Sequence, residues 1–167
     1  VMVDVMASNE AWARAPELVE QIVRAVRSVD FLISEVQTGW ASAMGLTVSQ
    51  WNMLVIIAEA HERSGLQVKS VAETLRVNAS FIVRQSRPLE DLGLIRRKSS
   101  NTDKRVVYLS ATPKALKELA RLQESRDSVC AAIKKEMGEA TTLHTIELLQ
   151  QLERSLARCR ARLQIAD

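Results

Sequence analysis

Leu94-Ile-Arg-Arg-Lys-Ser-Ser-Asn-Thr-Asp-Lys-Arg-Val-Val-Tyr-Leu-Ser110 is the stretch on which the fold turns. Two short β-prone runs, residues 94–97 and 106–109, flank a polar, basic tip, the pattern of an antiparallel hairpin. Immediately upstream, residues 69–75 read as a short helix with Val71, Ala72 and Leu75 facing inward. Arg76 and Val77 form a turn, and Asn78 is placed to cap a second helix over residues 79–92 that buries Ile82, Leu89 and Leu92. Gly93 then supplies the helix C-cap. A brace helix, a turn, a second helix and a basic hairpin make a helix-turn-helix followed by a wing, an arrangement that holds duplex DNA.

Working outward, Thr47 and Gln50 stand three residues apart at the start of an apolar run, a capping box for a helix through Trp51, Leu54, Val55 and Ala58. Before it, Leu18, Ile22, Val26, Val29, Ile33, Val36 and Trp40 follow at spacings of four and three, one apolar stripe on a long helix opening near Pro16 and breaking between Gly39 and Gly45. After the wing, Thr112 and Pro113 open another long helix with Leu116, Leu119, Leu122, Val129, Ile133 and Met137 on one side. Past Gly138, Leu143, Ile146, Leu149, Leu152, Leu156, Cys159 and Leu163 form the stripe of a last helix. The terminal stripes exceed what a small central module needs, which predicts burial against another chain.

The fold class expected is mainly α with a small β wing: a winged helix-turn-helix over residues 46–111, flanked by an N-terminal dimerisation helix within residues 1–45 and by C-terminal dimerisation helices over 112–167. A chain of 167 residues accommodates one core plus such an arm. Its apolar and charged contents, 47% and 26%, are those of a globular protein. Its apolar runs are too short for a membrane span, and Met2 to Val5 is too short and acidic for a signal peptide, which together predict a cytoplasmic location and no membrane partner.

Charge is distributed unevenly. From Glu62 to Tyr108 there are ten Lys/Arg against five Asp/Glu, whereas Val1 to Thr38 carries three against six. Positive charge concentrated on the winged module is what a phosphate-contacting surface requires. Cys130 and Cys159 stand far apart with no CxxC and no His at ligand spacing, so they read as small core residues rather than metal ligands. No nucleophile–base pattern or Gly-rich phosphate loop is visible, which argues against an enzyme and against a cofactor.

On the second helix, the side chains left for DNA are Asn78, Ser80, Phe81, Arg84 and Arg87. Arg84 is the expected base reader, because a guanidinium fork matches guanine O6 and N7. Asn78 and Ser80 suit a phosphate or a base; Phe81 suits a thymine methyl or a packed position under the helix. At the wing tip, Asp103 and Arg105 are expected to pair across the turn and to present basic residues to the minor groove. Arg96, Arg97, Lys98 and Lys104 are expected at phosphates, where they add affinity without specifying sequence.

The chain resembles MarR-family winged helix-turn-helix transcriptional regulators. The resemblance runs through Leu46-Thr-Val-Ser-Gln50, Val68-Lys-Ser-Val-Ala-Glu-Thr-Leu75, Val77-Asn-Ala-Ser80 and Leu89-Glu-Asp-Leu-Gly-Leu-Ile-Arg96, and continues in Asp103-Lys-Arg105 and Leu109-Ser-Ala-Thr-Pro-Lys-Ala-Leu116. It implies a homodimer joined through helices of both termini, a pseudo-palindromic double-stranded DNA operator, and a repressor released by a small aromatic or phenolic ligand. The family's wing aspartate and arginine correspond to Asp103 and Arg105. The first-helix cysteine by which some members sense oxidants has no counterpart here. Two positions depart from the family pattern: Phe81 stands where a small hydroxyl residue is usual, and Pro88 lies inside the reading helix, where it is expected to kink or end it.

An effector in this architecture would meet Trp40, Met44, Trp51, His61 and Arg63, two aromatic platforms with a polar end for a carboxylate or phenolate. Set against that, each Trp fits an ordinary core position and His61 a helix end. The rival reading of the whole chain is an architectural or protein-interaction protein that keeps the winged fold with little sequence specificity; activation in place of repression depends on where the operator lies.

Overall fold

The computed structural model describes residues 17–60 and 65–164. Helix α1 is Glu17–Ala43 and α2 is Val48–Glu59. A two-residue strand β1, Leu66–Gln67, leads into α3, Val68–Leu75, and then α4, Ala79–Asp91. The hairpin is β2, Ile95–Ser99, and β3, Val107–Ala111, followed by α5, Pro113–Arg121, α6, Gln123–Met137, and α7, Glu139–Gln164. Two compact units result, one through Glu118 and one from Leu119 onward.

In the first unit, α2 is the central helix, touching α1, α3, α4 and β3. Its buried face is Trp51, Met53, Leu54 and Ile57, while Val55 and Ala58 are half-buried. Val68, Val71 and Ala72 of α3 and Ile82 and Leu89 of α4 complete the helical side of the core. Leu94, Ile95 and Leu109 close it from the sheet.

The capping box at α2 is complete: the Gln50 backbone N–H donates to Thr47 Oγ1 at 3.3 Å, and the Thr47 N–H donates to Gln50 Oε1 at 3.0 Å. Helix α1 continues past Gly39 to Ala43, and Gly45 closes the turn after it, its φ of +68° letting Leu46 N–H reach back to the Ala41 carbonyl at 2.9 Å. The three-stranded sheet has the order β1-β3-β2, antiparallel throughout, with Leu66 opposite Leu109 and Arg97 also opposite Leu109 from the other side. Both wing strands lie a residue or two beyond the expected runs, because the pairing extends to Ser99↔Val107 and Ile95↔Ala111.

Five local expectations are corrected. Leu92 is 44% exposed, since the helix has already given way to the Gly93 turn. Of the kink or end expected at Pro88, the end does not occur: α4 continues to Asp91, with Leu92 N–H bonded to the Pro88 carbonyl at 3.0 Å. A proline lacks only its own N–H and still accepts from the residue four ahead. The single long helix expected after Thr112 is two, α5 and α6, interrupted at Leu122. Cys130 and Cys159 are exposed in this chain, not core residues. The Asp103 carboxylate takes the backbone N–H of Arg105 at 2.9 Å, a main-chain contact in place of the side-chain pair expected.

In the second unit, α6 and α7 pack on each other, with Lys134 Nζ bridging to Glu139 at 2.8 Å across the Gly138 break. No single helix among the described residues is long and apolar enough to cross a membrane; α1 and α2 together meet that length, but they bend 80° apart and α2 is a core helix.

Candidate nucleic-acid interface

Helix α4 is held by one face and open on the other. Ile82, Ser86 and Leu89 are fully buried, and the Ser86 hydroxyl, in a position where a polar group needs a partner, donates to the Val83 carbonyl at 3.0 Å. The spacing of three and four that buries those residues turns Asn78, Ser80, Arg84 and Arg87 outward, and all four are exposed. Asn78 occupies the N-cap position with extended backbone but makes no side-chain cap bond. Its amide therefore remains available at the open end of the helix. Phe81 is half-buried, and the Arg84 guanidinium lies over its ring, Cζ 5.4 Å from the centroid.

The turn before α4 depends on Arg76, whose backbone is left-handed at φ +54°. Its N–H and that of Val77 return to the last carbonyls of α3, at Glu73 and Ala72. This brings α3 and α4 into contact as a helix-turn-helix pair.

The wing divides its basic residues by strand alternation. Arg96 and Lys98 share one exposed face of β2. Arg97, on the other face, is half-buried and reaches Glu90 of α4 at 3.9 Å. The tip is ordered by its own bonds. Ser100 N–H donates to the Val106 carbonyl at 2.8 Å, Val106 N–H to the Asp103 carbonyl at 3.0 Å, and the Ser100 hydroxyl accepts from Thr102 N–H at 3.2 Å. Asp103 is thereby spent on the backbone, while Lys104 and Arg105 are exposed at the extremity.

Sequence reasoning missed several supports of this surface. The Glu90–Arg97 contact joins residues on different elements, with no spacing rule to announce it. Lys114 Nζ donates to the Leu92 carbonyl at 2.7 Å, and Gln67 Nε2 donates to the Tyr108 hydroxyl at 3.1 Å, tying β1 to β3.

Among the expected effector residues, Trp40 and Trp51 meet, with ring centroids 6.0 Å apart and planes tilted by 40°. Trp51 is buried and Trp40 half-buried. Met44 lines a different cavity of about 200 Å³, with Leu92, Leu94 and Lys114. His61 and Arg63 lie outside the described residues. Among the described residues, no group of His, Cys, Asp or Glu is arranged to hold a metal ion.

With this geometry, the comparison with known proteins is decisive for the winged module: residues 46–107 match the model of the MarR family. This domain belongs to the MarR family. A candidate transcriptional regulatory protein for the hcr operon of Thauera aromatica is 36% identical over 81 residues, 48% of this chain and 47% of that protein. The chain thus spans about half the length of that curated relative. Among solved structures, the S. aureus MepR–DNA complex is similar with a TM-score of 0.71 at 18% identity, over 80% of this chain and 96% of that one. A MarR protein from Peptoclostridium difficile DA00132 gives 0.70 at 17% identity, over 81% and 86%. A MarR-family regulator from Rhodococcus sp. RHA1 gives 0.69 at 20%, over 83% and 96%. At these identities the likeness is one of fold: mainly helical, with a small antiparallel wing, as in this chain.

Proposed function

We propose that the chain is a sequence-specific DNA-binding transcriptional regulator, and not an enzyme, acting as a homodimer on a pseudo-palindromic operator. The observation that carries this reading is the two-sidedness of α4: Ile82, Ser86 and Leu89 anchor it while Ser80, Arg84 and Arg87 face out, beside a wing that exposes Arg96, Lys98, Lys104 and Arg105. In such a pairing, α4 enters the major groove and the wing follows the adjacent backbone or minor groove. Arg84 reads a base pair, Asn78, Ser80 and Arg87 take a base or a phosphate, and the outward wing residues Arg96, Lys98 and Lys104 take phosphates. Arg105 is assigned to the minor groove, with Asp103 shaping its turn. Arg97, paired with Glu90, is given a lesser share of phosphate binding.

The homodimer is supported by α1, where Ile22, Val26, Val29, Ile33 and Val36 are each between 40% and 55% exposed along one helix. A contiguous apolar row of that kind marks a protein interface. Residues 112–167 add further exposed apolar side chains, among them Ile146, Leu149 and Leu156, and are proposed to share in dimerisation with residues 1–45. The DNA-related relatives support the partner: MepR was solved as a DNA complex, and the Thauera aromatica protein is a candidate regulator of an operon.

Repression relieved by a small aromatic or phenolic ligand is the finer form of the proposal. Its support is the tilted Trp40–Trp51 pair and the Met44 cavity, with the expected polar residues His61 and Arg63 outside the described part. A cytoplasmic location accords with a DNA partner.

The test is fluorescence anisotropy of the full chain on its own upstream DNA and on scrambled duplex at near-physiological salt, with and without a panel of aromatic acids. A preference of roughly 10³-fold or more establishes an operator-reading regulator. Release by one acid identifies the effector class. Equal, weak, salt-sensitive binding to both duplexes overturns the reading in favour of an architectural protein.

A further inference from the structure

We infer that Phe81 is a positioning residue for Arg84: its ring is a platform that holds the guanidinium where it reads a base pair, an inference that rests on the operator reading above. The two residues stand three apart on α4, the spacing that brings side chains one above the other on a helix. Cζ of Arg84 lies 5.4 Å from the ring centroid, inside the ~6 Å range of a cation–π contact. Phe81 is half-buried, so part of its ring is covered by the protein, while Arg84 is exposed.

How an arginine is held decides what it can still do. Arg97 lies 3.9 Å from the Glu90 carboxylate, an ion-pair distance at which the opposite charge offsets its own. Arg84 makes no hydrogen bond or ion pair among the described residues; the ring is its contact. An aromatic face restrains the guanidinium plane without occupying an N–H, so the donors that match guanine O6 and N7 remain free. It also limits the rotamers of a long side chain before DNA arrives, reducing the ordering cost that binding must offset. A thymine-methyl contact by Phe81 would use the ring differently, because the residue would then discriminate bases whether or not Arg84 is present.

The experiment selects a preferred duplex for the full chain from a randomised pool, then measures anisotropy on it, on each single-base-pair variant and on scrambled duplex. Four proteins form the cycle: the parent, Phe81→Leu, Arg84→Ala and the double variant, with Phe81→Tyr as the ring-retaining control. Phe81→Leu is expected to lower the preference at the same base pair as Arg84→Ala, by about three- to fivefold, the size an exposed cation–π contact supports. It leaves scrambled-duplex affinity and the salt slope unchanged, has no further effect once Arg84 is Ala, and Phe81→Tyr keeps the preference. Additive effects, or an equal loss on every duplex, overturn the inference while leaving the operator reading intact. No enriched duplex, or no position-specific effect of Arg84→Ala, overturns both. If Phe81→Leu fails to fold, Phe81→Met, which keeps apolar bulk without a ring, completes the cycle with the same outcomes.

Discussion

The Thr112 hydroxyl donates to the Gly93 carbonyl at 2.7 Å and at the same time accepts the Ala115 N–H at 3.2 Å. One buried side chain thus fastens the end of α4 to the end of β3 and caps α5. The Thr112 N–H adds a third tie, to the Leu94 carbonyl at 3.0 Å. Thr112→Val keeps the shape and removes both hydroxyl bonds. It is expected to lower stability by about 1–2 kcal/mol, the usual loss of an N-cap with a buried polar partner left unpaired. Urea unfolding checks it, and Thr112→Ser is expected to recover most of the loss.

Gly65 faces a steric limit at the other edge of the sheet. Its φ is +93°, and a Cβ there would lie 2.8 Å from the Leu109 carbonyl oxygen, a backbone atom that cannot swing aside. Gly65→Ala should destabilise by roughly 2–3 kcal/mol, combining a sparsely populated backbone region with a displaced β1–β3 pairing. Gly45→Ala, also at positive φ but in open space, is expected to cost only about 1 kcal/mol. Equal losses at the two sites would show that the clash with Leu109 has no weight.

Pro88 sits inside α4 on its exposed side, and its ring leaves the Arg84 carbonyl without an intrahelical donor. Pro88→Ala restores that bond in a helix already formed on both sides. The expected outcome is a gain of about 1–3 kcal/mol in thermal or urea unfolding, the upper figure being the intrinsic penalty of an interior proline. A loss of stability would mean that the ring contributes packing or chain stiffness worth more than the bond.

Lys104 and Arg97 carry the same formal charge on the same hairpin but differ in setting, one exposed at the tip and the other half-buried beside Glu90. Under the operator reading, Lys104→Ala should weaken binding to all duplexes alike and reduce the slope of log K against log salt by about 1. Arg97→Ala should change that slope less and instead loosen the α4–β2 contact, visible as faster amide exchange in residues 95–99. Anisotropy titrations at four salt concentrations separate the two.

Much of this MarR-family module was legible in the chain because its signals are local. The Thr47–Gln50 capping box, the left-handed Gly45 and Gly93 at helix ends, Thr112 before Pro113 and the polar hairpin tip each need only a few neighbouring residues to act. Periodicity likewise placed Ile82 and Leu89 in the core and thereby exposed Arg84 and Arg87, since a helix offers two faces and burying one leaves the other. Packing and partner choice are not local. Whether Val55 or Ile57 faces inward, whether Cys130 and Cys159 are covered, and whether residues 113–137 run as one helix depend on what stands opposite. Only the folded chain set Glu90 beside Arg97, brought Trp40 against Trp51 across two helices, and laid Arg84 over Phe81 in preference to a carboxylate. Short-range backbone chemistry is written in consecutive residues, whereas the orientation of a long charged side chain is decided by small energy differences among the neighbours that tertiary structure supplies.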